Sequence, residues 1–291
     1  MAVRQSEWQT KEVDGLPLVF SPLLSKYTRL KYAFSTRLGG NTKAPMDSFN
    51  VGRLVDLKTC REDLLKNRQK LCAALEVDAQ TLVVPDMSHS NVVLFVEGFK
   101  SKRPEADGIA TRTSGLPVLL TFADCVPIIL YDPVKHVVAS IHAGWRGTAI
   151  KIAQEGVKLL EAQGSKPADL VAVIGPAIGS CCYPTSLEAA SQLVASLVNG
   201  SGQFDSDKQS GLDAKLLSSA IVSLQLQEFF LFKDESFHPD LKAINALQLL
   251  QAGVGQVDVT NLCTACKPEL FYSHRQSQGQ AGRQAAIVCL T

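Results

Sequence analysis

The stretch that decides the reading is 118-VLLTFADCVPIILYDPVKHVVASIHAGWRGT-148. Two apolar runs, 126–130 and 137–141, are separated by an Asp132-Pro133 turn former, which predicts two buried strands joined as a hairpin or a short crossover. Each run adjoins a reactive side chain that folding does not require: Cys125 before the first and His142 after the second. Asp124, Trp145 and Arg146 lie at the same ends. Thiolate, imidazole and guanidinium chemistry is thereby placed on rigid elements, as a functional site requires.

Outward from that stretch, the chain has 291 residues, 46% of them hydrophobic and 20% charged, the composition of an ordinary globular protein with a sizeable core. A formal net charge of +1 gives no global field to draw in nucleic acid or an anionic membrane. The first thirty residues are too polar for a secretory h-region, and Glu7, Glu12 and Asp14 argue against a transit peptide. No apolar run approaches spanning length. A cytoplasmic location is therefore expected. There the eight cysteines (60, 72, 125, 181, 182, 263, 266, 289) are metal ligands, reactive thiols or buried fillers before they are disulfides.

Residues 57–76 carry apolar side chains at Leu64, Leu65, Leu71 and Leu75 between charges, which predicts an amphipathic helix with Cys60 and Cys72 as bystanders. Strand-like runs follow at 82–84 and 92–96, around a Pro85-Asp86 break that contains His89. A helix is expected over 148–163, starting at Gly147-Thr148, with its free N–H groups directed towards Arg146 as a place for an anion. LVAVIGPAIGSCCYPTS (170–186) reads as a buried strand and a Gly/Pro loop. Residues 186–224 read as helix interrupted by an exposed loop, GSGQFDSDKQSG, and 240–254 as a second amphipathic helix closed by Gly253. A last apolar strand ends the chain. Strands and helices intermix throughout without repeat or linker, so residues 1–291 are expected to form a single α/β domain, a mixed sheet flanked by helices.

Several chemistries are excluded by motif. There is no GxxxxGK[ST], no GxGxxG after a strand, no HExxH and no GxSxG elbow. No histidine is followed two residues on by Glu, as the zinc deaminase signature demands. Cys263-Thr-Ala-Cys266 has zinc-ribbon spacing, but a four-sulfur site needs a second such pair, so packing cysteines are expected. What remains is a cysteine and two histidines on three segments, and Cys/His/His zinc leaves a fourth place open for catalysis. Asp124 is a candidate to orient a histidine or accept a proton, and Arg146 to hold phosphate through its fork of donors. Arg37 and His89, read alone, are solvated loop residues before they are functional ones.

At these residues the chain resembles a known family. FSTRLGG (34–40), SFNVG (48–52), SHSNVV (88–93), ADCVPIILYDP (123–133), HAGWRGT (142–148), IGPAIGSCCY (174–183), DLKAIN (240–245), CTACKPELFYSHR (263–275) and GRQAAIV (282–288) match its blocks in order. It is the purine nucleoside phosphorylase family formerly called multicopper polyphenol oxidase (laccase-like), that of bacterial YfiH/YlmD-type proteins and human FAMIN. The match covers about 32–291.

The resemblance implies an α/β fold related to that of the cytotoxic-necrotizing-factor cysteine hydrolases. It also implies a metal triad carried here by His89, Cys125 and His142, with zinc the usual metal and copper the older claim. The implied reactions are phosphorolysis of adenosine, inosine and methylthioadenosine, and adenosine deamination. Cys125, Asp124 and Arg146 are the expected catalytic residues, and Arg37, Asn50 and Arg275 the expected substrate contacts. The expected partners are a purine nucleoside and phosphate, bound by a monomer or homodimer, with no nucleic acid and no membrane. Met87 and the run Ser273-His274-Arg275-Gln276 depart from the family pattern, where Gln and Ser-Tyr-Arg-Arg are usual. Two rival readings stay open: a copper polyphenol oxidase, short of imidazoles with only five histidines, and a metal-free hydrolase with Cys125 as nucleophile and His142 as base.

Overall fold

The stretch 118–148 holds three strands and the start of a helix, and it carries the chain from one sheet into another. The computed structural model describes residues 3–4, 6–44, 46–52, 61–198 and 213–291. In chain order the strands are β1 (Val3–Arg4), β2 (Gln9–Val13), β3 (Leu16–Phe20), β4 (Leu30–Ser35), β5 (Val93–Phe95), β6 (Gly108–Thr111) and β7 (Val118–Phe122). They continue as β8 (Val126–Asp132), β9 (Val137–Ala143), β10 (Val171–Ile174), β11 (Phe230–Lys233), β12 (Ser236–Pro239), β13 (Gln256–Val259) and β14 (Gln284–Leu290). The helices are α1 (Arg61–Ala74), α2 (Trp145–Ala149), α3 (Ile152–Ala162), α4 (Leu187–Leu197), α5 (Ala214–Ser223) and α6 (Leu241–Gln251).

One mixed sheet runs β1-β13-β10-β8-β9-β6-β5, an antiparallel one runs β2-β3-β4-β14-β7, and β11-β12 form a separate hairpin. The expected single mixed sheet is thus two principal sheets. Of the two connections left open for the central runs, the hairpin is the one formed: β8 and β9 pair antiparallel from Val126↔Ala143 to Asp132↔Val137. Asp132 Oδ1 accepts the N–H groups of Val134 and Lys135 at 2.7 and 2.9 Å and so fixes the turn.

Alternation along β8 assigns its faces. Val126, Ile128 and Leu130 pack with Ile152, Val157, Leu160, Leu193 and Leu249 of the helices. Ile129 and Tyr131 pack instead with Phe34, Phe122 and Val288 of the antiparallel sheet. On the far side of that sheet, Ala33, Leu119 and Ile287 meet Leu71 and Cys72 of α1. The layers are therefore helices, mixed sheet, antiparallel sheet, helix. Burial of each such aliphatic side chain is worth about 1.5–3 kcal/mol, which is why both faces of β8 are apolar.

Three sequence expectations need correction. The helix expected over 148–163 begins earlier, at Trp145 after Gly144, and is broken where Lys151 takes φ 61° between α2 and α3. Arg146 therefore lies inside the first helical turn instead of facing it. Residues 82–84 form no strand, only a parallel bridge from Val83 to Val118. The run 92–96 shortens to β5. Cys60 and the segment 200–211 lie outside the described residues.

Candidate metal centre

β7 belongs to the antiparallel sheet and β8 to the mixed one, so residues 123–125 are the link between sheets. Cys125 sits on that link. His142 is the penultimate residue of β9, opposite Pro127, on the side of the strand that carries Val138 and faces the second sheet. His89 comes from the loop before β5. The donor atoms of these three residues all lie within 4.8 Å of one another, and the two imidazole centroids are 5.1 Å apart.

What aims the histidines is Asp107, which the sequence reading passed over. It directly precedes Gly108 at the start of β6, and β6 pairs with β9 so that Gly108 faces Ile141. That register brings the Asp107 backbone carbonyl to the His142 N–H at 2.7 Å and its Oδ1 to His142 Nδ1 at 3.0 Å. The same carboxylate accepts the N–H groups of Ser88, His89 and Ser90 at 3.1, 3.0 and 2.7 Å, and the Ser90 hydroxyl at 2.8 Å. One fully buried Asp thus fixes the loop bearing His89 and the ring of His142. Burial would raise its carboxyl, but the hydrogen bonds from His142 and Ser90 outweigh it and hold the group well below the usual carboxylate range. The only sequence signal was an Asp before Gly in EADGIA.

Burial would lower the His142 pKa, yet the Cys125 sulfur and Asp107 beside it push it up to about 9. His89 is held below its usual value by burial and by the His142 and Arg146 charges, against the opposing pull of Asp107. Two of the residues stand in left-handed backbone, His89 at φ 61° and Asp124 at φ 86°. For non-glycine residues that conformation has a cost, and it recurs at functional sites. Gly144 completes the cradle: a Cβ there would lie 2.8 Å from His89 Nδ1 and 3.1 Å from Cys125 Sγ.

The donors fit a metal. Nitrogen, sulfur and nitrogen from three segments converge, and the carboxylate behind His142 leaves Nε2 as its ligand atom. Only two of the five histidines take part. His136 hydrogen-bonds Tyr131, His238 hydrogen-bonds Ser236 and the Ser180 carbonyl, and His274 lies beside Arg283. A multicopper set of imidazoles is not assembled here.

A cavity of about 220 Å³ opens beside the triad, lined among others by His89, Cys125, Arg146, Tyr183, His274 and Arg275. Larger hollows of about 550 and 660 Å³ lie elsewhere, so donor chemistry identifies this site where size would not. Arg146 stacks on Trp145 at 4.4 Å and Arg275 on Tyr183 at 4.9 Å. Burial pushes the Tyr183 phenol up to about 12, so it stays neutral.

The other expected residues are placed differently. Asp124 was to orient a histidine, but that contact belongs to Asp107. Its own oxygens accept the Thr264 hydroxyl at 2.7 Å and the Arg275 N–H at 2.6 Å, because the 263–275 loop packs against the sheet link. Arg37 is outside the cavity: its guanidinium donates to the Asp47 and Pro268 carbonyls and stacks on Tyr272 at 4.8 Å. Asn50 is fully buried, with its side chain bonded to Gly52 and the Arg283 N–H. Both hold loops together. The second cysteine pair that spacing did not reveal is present, since Cys263 and Cys266 meet Cys181 and Cys182.

Known proteins resemble the chain over nearly its whole length. The family model described as multi-copper polyphenol oxidoreductase laccase matches residues 31–291. Purine nucleoside phosphorylase YlmD of Bacillus subtilis is 34% identical over 267 residues, 88% of this chain and 86% of its own. The purine nucleoside phosphorylase of Deinococcus radiodurans is 30% identical over 279 residues, 95% of this chain and 94% of its own. The crystal structure of YlmD from Geobacillus stearothermophilus matches with a TM-score of 0.80 at 29% identity, covering 97% of this chain and 98% of that one. The chain thus belongs to the multi-copper polyphenol oxidoreductase laccase family, several of whose curated members carry the name purine nucleoside phosphorylase.

Proposed function

We propose that the chain is a zinc-dependent purine nucleoside phosphorylase acting on adenosine, inosine and methylthioadenosine, with adenosine deaminase activity in the same cavity. The observation that carries this reading is the convergence of His89, Cys125 and His142 within 4.8 Å beside a cavity with two arginines and a neutral tyrosine. The relatives' names supply the substrate class. The 291 residues act as one enzyme domain in the cytoplasm, as a monomer or homodimer. Among the described residues no helix is long and apolar enough to cross a membrane. Kinship with the cytotoxic-necrotizing-factor hydrolases is part of the same reading, supported by a cysteine and histidine at the meeting of two sheets.

His89, Cys125 and His142 would hold the ion, which supplies Lewis acidity and activates water near neutral pH. Copper also suits these donors. Phosphorolysis breaks the C1′–N9 bond, forms a bond from C1′ to a phosphate oxygen, and leaves a base that takes up a proton. Arg146 and Arg275 hold the phosphate dianion, each kept flat by the ring beneath it. Tyr183 presents an aromatic face to the purine, and His274 at the cavity wall gives the departing base its proton. Deamination uses water at purine C6 and releases ammonia from the same bound base. Asp124 acts by positioning Arg275 and Thr264, and Asp107 by fixing the two imidazoles.

The test is hypoxanthine release from inosine by the purified protein, with and without phosphate, together with zinc content. Release that requires phosphate and yields ribose 1-phosphate is expected, and Cys125→Ser should hold one zinc ion fewer per chain and lose activity with it. Release indifferent to phosphate, or a Cys125→Ser protein that loses activity with its zinc content unchanged, replaces this reading by a cysteine hydrolase.

A further inference from the structure

Four thiols meet outside the cavity. Cys181 and Cys182 lie in the short 3-10 turn Ser180–Cys182, and Cys263 and Cys266 follow β13. Their sulfurs all fall within 4.8 Å of one another, with Cys181–Cys266 at 3.4 Å and Cys182–Cys266 at 3.3 Å. A disulfide needs about 2.05 Å, whereas four sulfurs about 2.3 Å from one zinc ion stand about 3.8 Å apart. The observed spacing is close to the second arrangement and far from the first.

The surroundings fit thiolates holding a cation. The Gly179 N–H donates to Cys263 Sγ at 3.2 Å, as backbone amides do around sulfur-ligated ions. Gly179 leaves the room needed, since a Cβ there would lie 3.2 Å from Cys181 Sγ and 3.6 Å from Cys263 Sγ. Lys242, which is 6% exposed, lines the same hollow as Cys181 and Cys263 and places one positive charge beside a centre of net negative charge. A divalent ion held by the four sulfurs displaces their thiol protons.

We propose that Cys181, Cys182, Cys263 and Cys266 form a structural zinc site, distinct from the His89, Cys125 and His142 centre. The site clamps two loops that line the cavity. Tyr183 follows Cys182 directly, and Thr264, between Cys263 and Cys266, donates to Asp124 at 2.7 Å. The thiol zinc therefore holds the wall against which Arg275 stacks, without itself meeting substrate. Nothing in this inference depends on the phosphorylase reading.

The test counts zinc in full-length protein purified under reducing conditions with zinc supplied. About two ions per chain are expected in the native protein and about one in both Cys266→Ser and Cys125→Ser. Cobalt substitution in the Cys125→Ser background should give the intense sulfur-to-metal charge-transfer band and the visible spectrum of a tetrahedral tetrathiolate site. Because that background leaves all four thiols intact, the spectrum decides the matter even if Cys266→Ser fails to fold. Equal zinc content in native protein and folded Cys266→Ser overturns the proposal. So does a Cys125→Ser protein that takes up no cobalt, or one whose cobalt spectrum lacks thiolate character. A Cys182–Cys266 disulfide, read as the loss of two hydrogens in intact mass from zinc-supplied, reduced-then-desalted protein, also overturns it.

Discussion

Asp107 serves two histidines at once, through the His89 N–H and His142 Nδ1, so its carboxylate governs where both rings stand. Asp107→Asn keeps the volume but turns one acceptor into a donor facing N–H groups. Loss of such a partner typically weakens metal affinity about 10–100-fold. Competition with a chromophoric chelator should show that loss, and unchanged affinity would leave Asp107 a folding residue only. Gly144→Ala tests the same centre from the other side. Its backbone, at φ −70° and ψ 175°, accepts alanine without strain, so the cost falls on the Cβ lodged 2.8 Å from His89 Nδ1. Expected is a folded protein with native circular dichroism and at least about tenfold weaker zinc binding. At this scale the triad was legible only through family blocks. Asp107 was not, because nothing in EADGIA reveals that β6 pairs with β9 and carries it to His142. Nor was the cysteine cluster, whose sulfurs lie 84 and 85 positions apart in the chain.

Elements whose signals are local were read correctly. Strands β8 and β9 follow from apolar runs on either side of Asp132-Pro133, a pattern that left hairpin and crossover both open, and α6 follows from its periodicity and the Gly253 stop at φ 85°. The break at Lys151 was missed because a left-handed lysine leaves no mark in the apolar pattern. The β11–β12 hairpin lies between the two helical segments, in 225–239, which the sequence pattern leaves unassigned, since Phe232 and Leu231 on β11 are exposed and give no buried run. For α6 the start is set by Asp240, whose side chain accepts the Ala243 N–H at 3.0 Å. Asp240→Ala should cost about 1 kcal/mol, the usual value of an N-cap, as a lower urea midpoint with an unchanged slope. A drop of several kcal/mol would mean that Asp240 does more than cap the helix.

Across the whole molecule, the centre joins what the fold keeps in separate layers. Cys125 stands on the link from the antiparallel sheet, His142 ends β9 of the mixed sheet, and His89 comes from a loop that Asp107 ties to β6. An ion held by all three is bound only when the two sheets are stacked, so it binds the native state and not the unfolded chain. Linkage then requires that binding stabilise the whole fold, by about 2.7 kcal/mol at a free ion concentration one hundred times the dissociation constant. The measurement belongs in the Cys266→Ser background, where the thiol cluster no longer contributes a second ion. There, added zinc should raise the thermal midpoint and a chelator should return it. In the Cys125→Ser, Cys266→Ser double variant the zinc response should vanish. A response of equal size in the double variant would show that the ion sits elsewhere, and the meeting of the two sheets would lose its claim to be a metal centre.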